Sequence, residues 1–213
     1  MLARYRTVPV SQVSGRDIAI LSEILRDGVN LAVWQRELSE PVTRFTEALL
    51  SRQVMLSEYR VLELRELDGL PPLTGLFGRF EMLPGATAFL NDVAGLVSAF
   101  AYLLDARRIG LRLRILDKPM CPRFHVDHVS VRLITSYAGA GTEWLQEDQM
   151  HRRDLGKPDA EPSDAAAIHR AMAGEVLIAK GERWVGNEGG GLIHRSPQSF
   201  HDRRLLLTLD WLA

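Results

Sequence analysis

The chain contains a single cysteine, Cys121, so no intramolecular disulfide can form. No apolar run is long enough to suggest a membrane span, and residues 1–14 lack the apolar stretch and cleavage site of a secretory signal. Internal repeats and low-complexity tracts are also missing from the sequence. These absences predict a protein of the reducing cytoplasm without a membrane partner.

An excess of charge of either sign is also missing. Lys and Arg number 26 against 27 Asp and Glu, which gives a formal net charge of -1. A near-neutral chain offers no broad electrostatic footprint for nucleic acid or for an anionic membrane, although a local patch escapes such a count. We therefore expect no nucleic-acid partner, while the oligomeric state stays open.

The length of 213 residues suits a single domain, in which residues 1–110 form a helical and mixed support region. Helices are predicted over 17–26, 40–52 and 86–107, with Ser39 placed to cap the second and a short strand over 30–35. In the third helix, apolar residues recur at steps of three and four. This spacing predicts a long stripe that packs on a sheet.

Residues 111–213 are predicted to form a β-rich core. Strands are expected over 111–116, 124–137, 142–145, 174–181 and 203–211, with a short helical run over 163–173. Gly139 to Gly141 and the glycines at 174 and 181 mark the ends of strands. The fold class that follows is α+β.

Phe124-His125-Val126-Asp127 is the feature of this core that points to chemistry. Side chains alternate between the two faces of a strand, so His125 and Asp127 project from one face. A later His194 completes two imidazoles and one carboxylate, the facial triad typical of redox-active Fe(II) with open coordination positions. The plainer alternative is a hydrogen-bonded polar pair on a strand. His194 is preferred to His201, because the glycines before it let the backbone approach an ion closely.

These residues, followed by a basic pair at the start of the last strand, resemble the Fe(II)/2-oxoglutarate-dependent dioxygenase superfamily. The resemblance covers roughly residues 111–213. It implies a double-stranded β-helix, a jelly-roll or cupin-like barrel, with flanking N-terminal helices. The segments 121–127 (CPRFHVD) and 141–145 (GTEWL) also resemble a bacterial family, domain of unknown function 1826, which supplies no activity. The superfamily implies an oxygenase that hydroxylates or demethylates a small-molecule or protein substrate.

By the same resemblance, His125, Asp127 and His194 are the iron ligands, and Arg203 or Arg204 holds the distal carboxylate of 2-oxoglutarate. Arg204 is favoured because it begins an Arg-x-x-x-Thr run that ends at Thr208. Against it, Leu205, Leu207, Leu209 and Trp211 share the face of Arg203, which takes the role if that face is the barrel interior. Tyr137 is a further candidate to reach the cosubstrate, although a packed aromatic is the simpler interpretation. Arg132 is expected on the opposite face from Asp127, in an ordinary salt bridge.

A second hypothesis is a zinc-binding protein without oxygenase activity, for storage or sensing. Histidine and carboxylate ligands also hold zinc, and Cys121 could add a thiolate. A barrel that binds a sugar or peptide without any metal is a third. Under the oxygenase hypothesis, residues 146–163 and 187–191 are candidates for a lid or for substrate-binding segments. His128, His151 and His169 are expected to lie outside the metal site.

Overall fold

The computed structural model describes residues 9–67, 69–198 and 203–212, which form two sheets and two α-helices. The strands are β1 Ser11–Gly15, β2 Val29–Trp34, β3 Ser57–Glu63, β4 Arg108–Leu116, β5 Val131–Ala138, β6 Glu143–Trp144, β7 His169–Arg170, β8 Val176–Lys180, β9 His194–Arg195 and β10 Arg204–Trp211. The helices are α1 Glu40–Leu50 and α2 Ala86–Leu104. Short 3-10 helices cover Ile18–Leu25, Gly78–Phe80, Arg152–Asp154 and Ala165–Ala167.

The large sheet has seven strands in the order β1-β2-β8-β5-β10-β4-β3, and the small sheet has three in the order β7-β6-β9. Every pair is antiparallel except β1 with β2. Three strands of the large sheet come from the first 110 residues, so that half of the chain builds the sheet as well as supporting it. The fold is mixed α+β, with one large sheet and few helices.

The main hydrophobic core lies between the large sheet and the helices. The outward-facing residues of β10, Leu205, Leu207 and Leu209, pack there with Phe45 of α1 and Phe89 of α2. A second cluster lies on the other face of the sheet, where Leu31, Ile134, Leu177 and Leu206 pack with Trp144 of the small sheet. We call that second face the inner face, because the small sheet lies against it.

Helix α2 confirms the predicted apolar stripe, with Phe89, Val93, Leu96, Val97 and Phe100 all buried. It ends at Leu104, three residues before the predicted end, because Asp105 adopts a left-handed conformation with φ of 49°. The expectation that no apolar run is long enough to span a membrane was wrong, because α2 has the length and the apolar composition of a membrane span. The core helix of a folded protein passes the same test, and α2 packs in the main core.

Other predicted elements differ in type or length. The run 17–26 is a 3-10 helix, Ile18–Leu25, and the helical run 163–173 shrinks to the single 3-10 turn Ala165–Ala167, followed by β7. Helix α1 begins after Ser39 as predicted, but the Ser39 side chain makes no capping hydrogen bond. In each case tertiary packing or a neighbouring strand overrides the local preference.

Candidate metal centre

Two segments far apart in the chain meet at His125 and His194. The His125 amide donates to the His194 carbonyl and the His194 amide to the His125 carbonyl, both at 3.0 Å. The prediction of one strand over 124–137 was wrong, since β5 begins at Val131. The carbonyls of Asp127 and Val129 accept instead from Glu182 and Arg183, in the turn after β8. Strand β9 and the turn after β8 therefore fix the backbone of residues 125–129.

The side chains of His125, Asp127 and His194 converge, and their candidate ligand atoms all lie within 4.8 Å of one another. The Nε2 atom of His125 lies 3.7 Å from Oδ1 of Asp127, and the Nε2 atom of His194 lies 3.4 Å from Oδ2. The imidazole centroids are 4.5 Å apart. Ligand atoms about 2.1 Å from one ion are about 3 Å apart, so small side-chain movements bring the three onto a shared metal.

The tautomer of each histidine suits metal binding. Nδ1 of His125 lies 2.9 Å from the Arg123 carbonyl and Nδ1 of His194 lies 3.1 Å from the Leu192 carbonyl. A carbonyl only accepts a hydrogen bond, so Nδ1 carries a proton in both rings, and Nε2 is the nitrogen left to coordinate a metal. Both Nε2 atoms lie on the side of Asp127.

The electrostatics keep this donor set in the forms that bind a cation. Burial and the charge of nearby His194 lower the pKa of His125, so its imidazole stays neutral at pH 7. Burial by itself raises the pKa of Asp127. Hydrogen bonding and charge interactions with His194, Arg132 and His125 outweigh that effect and hold the pKa well below its usual range. A neutral imidazole and an ionised carboxylate are forms that coordinate Fe(II) or Zn(II).

Arg132 forms a salt bridge, as predicted, but one of its partners is Asp127, which a regular strand would place on the opposite face. Its Nη1 donates to Oδ2 of Asp127 at 2.6 Å, while Nε donates to Asp210 at 2.6 Å. Asp127 precedes β5 and is separated from it by a bend over residues 128–130, so the alternation of a regular strand does not apply. The sequence analysis did not predict this contact of Arg132, nor the role of Asp210. Asp210 could have been found, because it lies on the same face of β10 as Arg204 and Thr208.

Arg204 points into the cavity that His125, Asp127 and His194 line, together with Thr142, Leu206 and Thr208. Its side chain is almost fully buried, at 1% exposure. The guanidinium donates to the hydroxyls of Ser136 at 2.9 Å and Thr142 at 2.8 Å, and no described carboxylate lies within ion-pair distance. Burial lowers the pKa of Arg204 to about 10. A buried guanidinium with hydroxyl partners and no carboxylate neighbour among the described residues is suited to bind an anion.

Arg203 and Tyr137 lie outside this cavity. Arg203 is on the opposite face and donates to the carbonyls of Leu50 and Val54. The apolar face of β10 is thus the side of the helices, and the face of Arg204 is the inner one. The Tyr137 hydroxyl donates to Asp92 on α2 at 2.6 Å, within the main core. Burial raises the pKa of Tyr137 well above its ordinary value.

The remaining candidates divide between the cavity and the surface. Cys121 lines the cavity, but its thiol does not belong to the group of converging donors. His128, His151 and His169 are exposed, and none of them joins the described cluster. His201, the rival of His194, falls outside the described residues.

The two candidate lid segments are well anchored. In residues 146–163, Met150 packs in a small core with Phe124 and Ile193, and Arg152 donates to Glu147 and to the Gly191 carbonyl. In residues 187–191, Asn187 is buried, and the side-chain Nδ2 of Asn30 donates to the Gly190 carbonyl at 2.9 Å. These contacts hold residues 187–191 in place, whereas 146–163 keeps several exposed residues.

A sequence profile described as "Protein of unknown function (DUF1826)" matches residues 15–210. No curated protein sequence matches the chain. The match spans both sheets, both helices and all three converging side chains.

Solved structures with a similar fold include IDO from Bacillus thuringiensis, at 11% identity and a TM-score of 0.50, over 86% of this chain and 91% of that one. A prolyl-4-hydroxylase from Pseudomonas putida is similar at 11% identity and 0.47, over 91% and 96%. Neurospora crassa T7H in complex with alpha-KG is similar at 13% identity and 0.47, over 99% and 86%. At such identities the likeness concerns the fold alone.

Proposed function

We propose that this chain, which belongs to the DUF1826 family, is a non-haem Fe(II)- and 2-oxoglutarate-dependent oxygenase. The reaction is hydroxylation or demethylation of a substrate. The observation that carries the proposal is the convergence of His125, Asp127 and His194, with Nδ1 of both rings turned to backbone carbonyls and Nε2 of both turned to Asp127. Two imidazoles and one carboxylate leave open positions on Fe(II), as an oxygenase needs.

The proposed fold is a double-stranded β-helix in which the two sheets enclose the metal. Gln12 on β1 supports this arrangement, since its side chain donates to the Leu145 carbonyl and accepts from the Trp144 indole. Trp144 also packs on the inner face of the large sheet. These contacts join one edge of the large sheet to the small sheet.

Arg204 is the proposed partner of the distal carboxylate of 2-oxoglutarate. A planar guanidinium holds a carboxylate through two parallel hydrogen bonds, and this one is buried without an acidic neighbour among the described residues. Ser136 and Thr142 orient the guanidinium, and Thr208 lines the same cavity. T7H was solved in complex with alpha-KG, and we propose the same cosubstrate for this chain.

The protein's own residues bind, orient and exclude water. His125, Asp127 and His194 hold the ion, Arg132 fixes the Asp127 carboxylate, and Arg204 aligns the cosubstrate. Leu206 and Ile134 give the cavity an apolar wall, which strengthens the interactions of the charged groups beside it. When bound, ferrous iron would supply oxidation of the substrate by dioxygen, with 2-oxoglutarate as the cosubstrate that is oxidised at the same time.

The test measures the binding of Fe(II) and 2-oxoglutarate in the absence of oxygen. Fe(II) and 2-oxoglutarate together should raise the melting temperature and give the visible charge-transfer band of a chelated oxoacid, because the Arg204 site and the metal act on one ligand. Arg204→Met should lose the effect of 2-oxoglutarate while keeping the effect of the metal. Arg203→Met is the matched control, since Arg203 lies outside the cavity and should leave the 2-oxoglutarate response intact.

Two outcomes count against the oxygenase. One is the absence of any response to 2-oxoglutarate in the metal-loaded protein. The other is tight binding of zinc that is lost in Cys121→Ser, because Cys121 lines the cavity and its thiolate would then complete a storage or sensing site.

A further inference from the structure

The inner face of the large sheet continues beyond the metal cavity, across β4 to the edge strand β3. Thr208 of β10 is paired with Arg112 of β4, which is paired with Tyr59 of β3. Residues directly opposite each other point to the same face. Tyr59 and Val61 are 54% and 42% exposed, so none of the described elements fully covers this part of the face. We call it the β3–β4 surface; its residues are Tyr59, Val61, Arg112, Arg114, Leu116 and Met120.

Arg114 has no carboxylate partner, unlike the neighbouring arginines on this face. Arg112 and Arg132 are both paired with Asp210, and Arg132 also with Asp127. Among the described residues, no acidic side chain lies within ion-pair distance of Arg114, and its Nε is buried without a hydrogen-bond partner. A buried donor left without a partner is unfavourable, and a bound acceptor would relieve that cost.

Arg114 lies next to the metal cavity. It is paired in register with Leu206, which lines the cavity, so the two backbones are one strand spacing of about 5 Å apart. Its Nη1 lies 3.4 Å from the sulfur of Met120, which lines the cavity too. A molecule held by Arg114 would therefore extend toward the ligands of the metal.

We propose that the substrate is a small organic molecule with a carboxylate or phosphate group, that Arg114 binds this group, and that the apolar part lies on the β3–β4 surface beside the metal. This inference rests on the oxygenase function proposed above. It goes further by naming the charge of the substrate and the residue that selects it.

The charge balance of the inner face favours an anion over a cation. Arg112, Arg114, Arg132 and Arg204 face Asp127 and Asp210, which leaves two positive charges uncompensated. The cosubstrate accounts for Arg204, and Arg114 is left for the substrate. Guanidinium groups bind carboxylate and phosphate with two parallel hydrogen bonds, while Tyr59, Val61, Leu116 and Met120 offer apolar contact for the rest of the molecule.

The experiment uses the wild-type protein loaded with Mn(II) and saturating 2-oxoglutarate, so that Arg204 and the metal are already occupied. Dissociation constants are measured by calorimetry for benzoate, phenyl phosphate and the neutral benzyl alcohol. At least one of the two anions should bind about tenfold or more tightly than benzyl alcohol. The comparison of benzoate with phenyl phosphate identifies which oxyanion the surface prefers.

Variants separate Arg114 from general charge effects. Arg114→Gln should abolish the preference for the anion, Arg114→Lys should restore part of it, and circular dichroism should show an intact fold in both. Arg108→Gln is the matched control, because Arg108 lies on the same strand, six residues away, and is exposed. It should leave anion affinity unchanged.

The inference is overturned if neither anion binds, if benzyl alcohol binds equally well, or if Arg114→Gln and Arg108→Gln have equal effects. Failure of the wild-type protein to bind Mn(II) and 2-oxoglutarate is a separate result. It would remove the proposed function itself, before any anion is added.

Discussion

At the scale of single residues, the two histidines are oriented by the same local device. Each ring donates from Nδ1 to the carbonyl two residues before it, Arg123 for His125 and Leu192 for His194. Neither needs a dedicated carboxylate to fix its tautomer. Asp127 is held differently, by Arg132, which is itself held by the buried Asp210. The donor set is therefore in place before a metal arrives.

Arg204 makes the ligand-free protein less stable than it could be. Because burial lowers its pKa to about 10 in the folded state, the unfolded chain binds more protons above that pH, and stability rises there with pH. Arg204→Met should therefore equal or exceed the wild type in free energy of unfolding at pH 7, by up to about 3 kcal/mol. Denaturant unfolding measures this difference.

The advantage of Arg204→Met should shrink as the pH is raised through 10, since the wild-type guanidinium then begins to lose its charge. A loss of more than about 2 kcal/mol at pH 7 in Arg204→Met would contradict the idea of an uncompensated cation. Arg203→Met provides the contrast, because that guanidinium bonds two backbone carbonyls, and its loss should destabilise the protein.

The sequence predicted the converging residues better than it predicted their supports. The pattern of His125, Asp127 and His194 was sufficient to predict that the three side chains converge. Arg204 was preferred to Arg203 because of its spacing to Thr208. The contact of Arg132 with Asp127 could not be predicted, since it depends on the turn before β5. For Tyr137 the simpler interpretation as a packed aromatic is confirmed and the contact with the cosubstrate is not, because the residue faces α2 in the main core.

At the scale of elements, the metal centre depends on the close approach of β8's end to the segment that carries Asp127. Gly181 follows β8 at this point. A Cβ atom there would lie 2.2 Å from the Val129 carbonyl oxygen and 2.6 Å from that of Asp127. The amide of Glu182 donates to the same Asp127 carbonyl at 2.9 Å. No side chain fits between these backbones.

Gly181→Ala should displace the Asp127 segment and weaken metal binding by about tenfold or more, with a loss of about 1–3 kcal/mol of stability. Metal titration and denaturant unfolding of the same sample measure both effects. Gly95→Ala is the control. A Cβ at Gly95 meets nothing within 4 Å, and this exposed position of α2 should gain about 0.5–1 kcal/mol with no change in metal affinity. Unchanged metal affinity in Gly181→Ala would show that this approach does not position Asp127.

Strands with strong alternation or glycine boundaries could be predicted, and those with neither could not. Strands β4, β8 and β10 match the predicted ranges to within a few residues. Strand β1 has the polar sequence SQVSG and gives no apolar signal. In β3 (SEYRVLE), Leu62 is the one buried residue of the strand, and it interrupts the short alternation of Tyr59 and Val61 with polar residues, so the sequence gives no strong signal. β3 matters because it forms the outer edge of the β3–β4 surface.

At the scale of the whole molecule, the large sheet interleaves the two halves of the chain. β2 separates β1 from β8, and β3 extends the sheet beyond β4, so residues from both halves form one continuous face. The helices cover the outer face, and the inner face holds the metal cavity and, next to it, the β3–β4 surface. Pattern recognition within each half could not predict this arrangement, because the pairing of β2 with β8 joins residues more than a hundred positions apart.

The central claim is that His125, Asp127 and His194 together hold one divalent ion. Electron paramagnetic resonance of Mn(II), titrated into the metal-free protein, measures it most directly. We predict one bound ion per chain, a loss of that ion in His194→Ala, and no change in His128→Ala, since His128 is exposed outside the cluster. Absence of binding in the wild type, or undiminished binding in His194→Ala, would contradict the account.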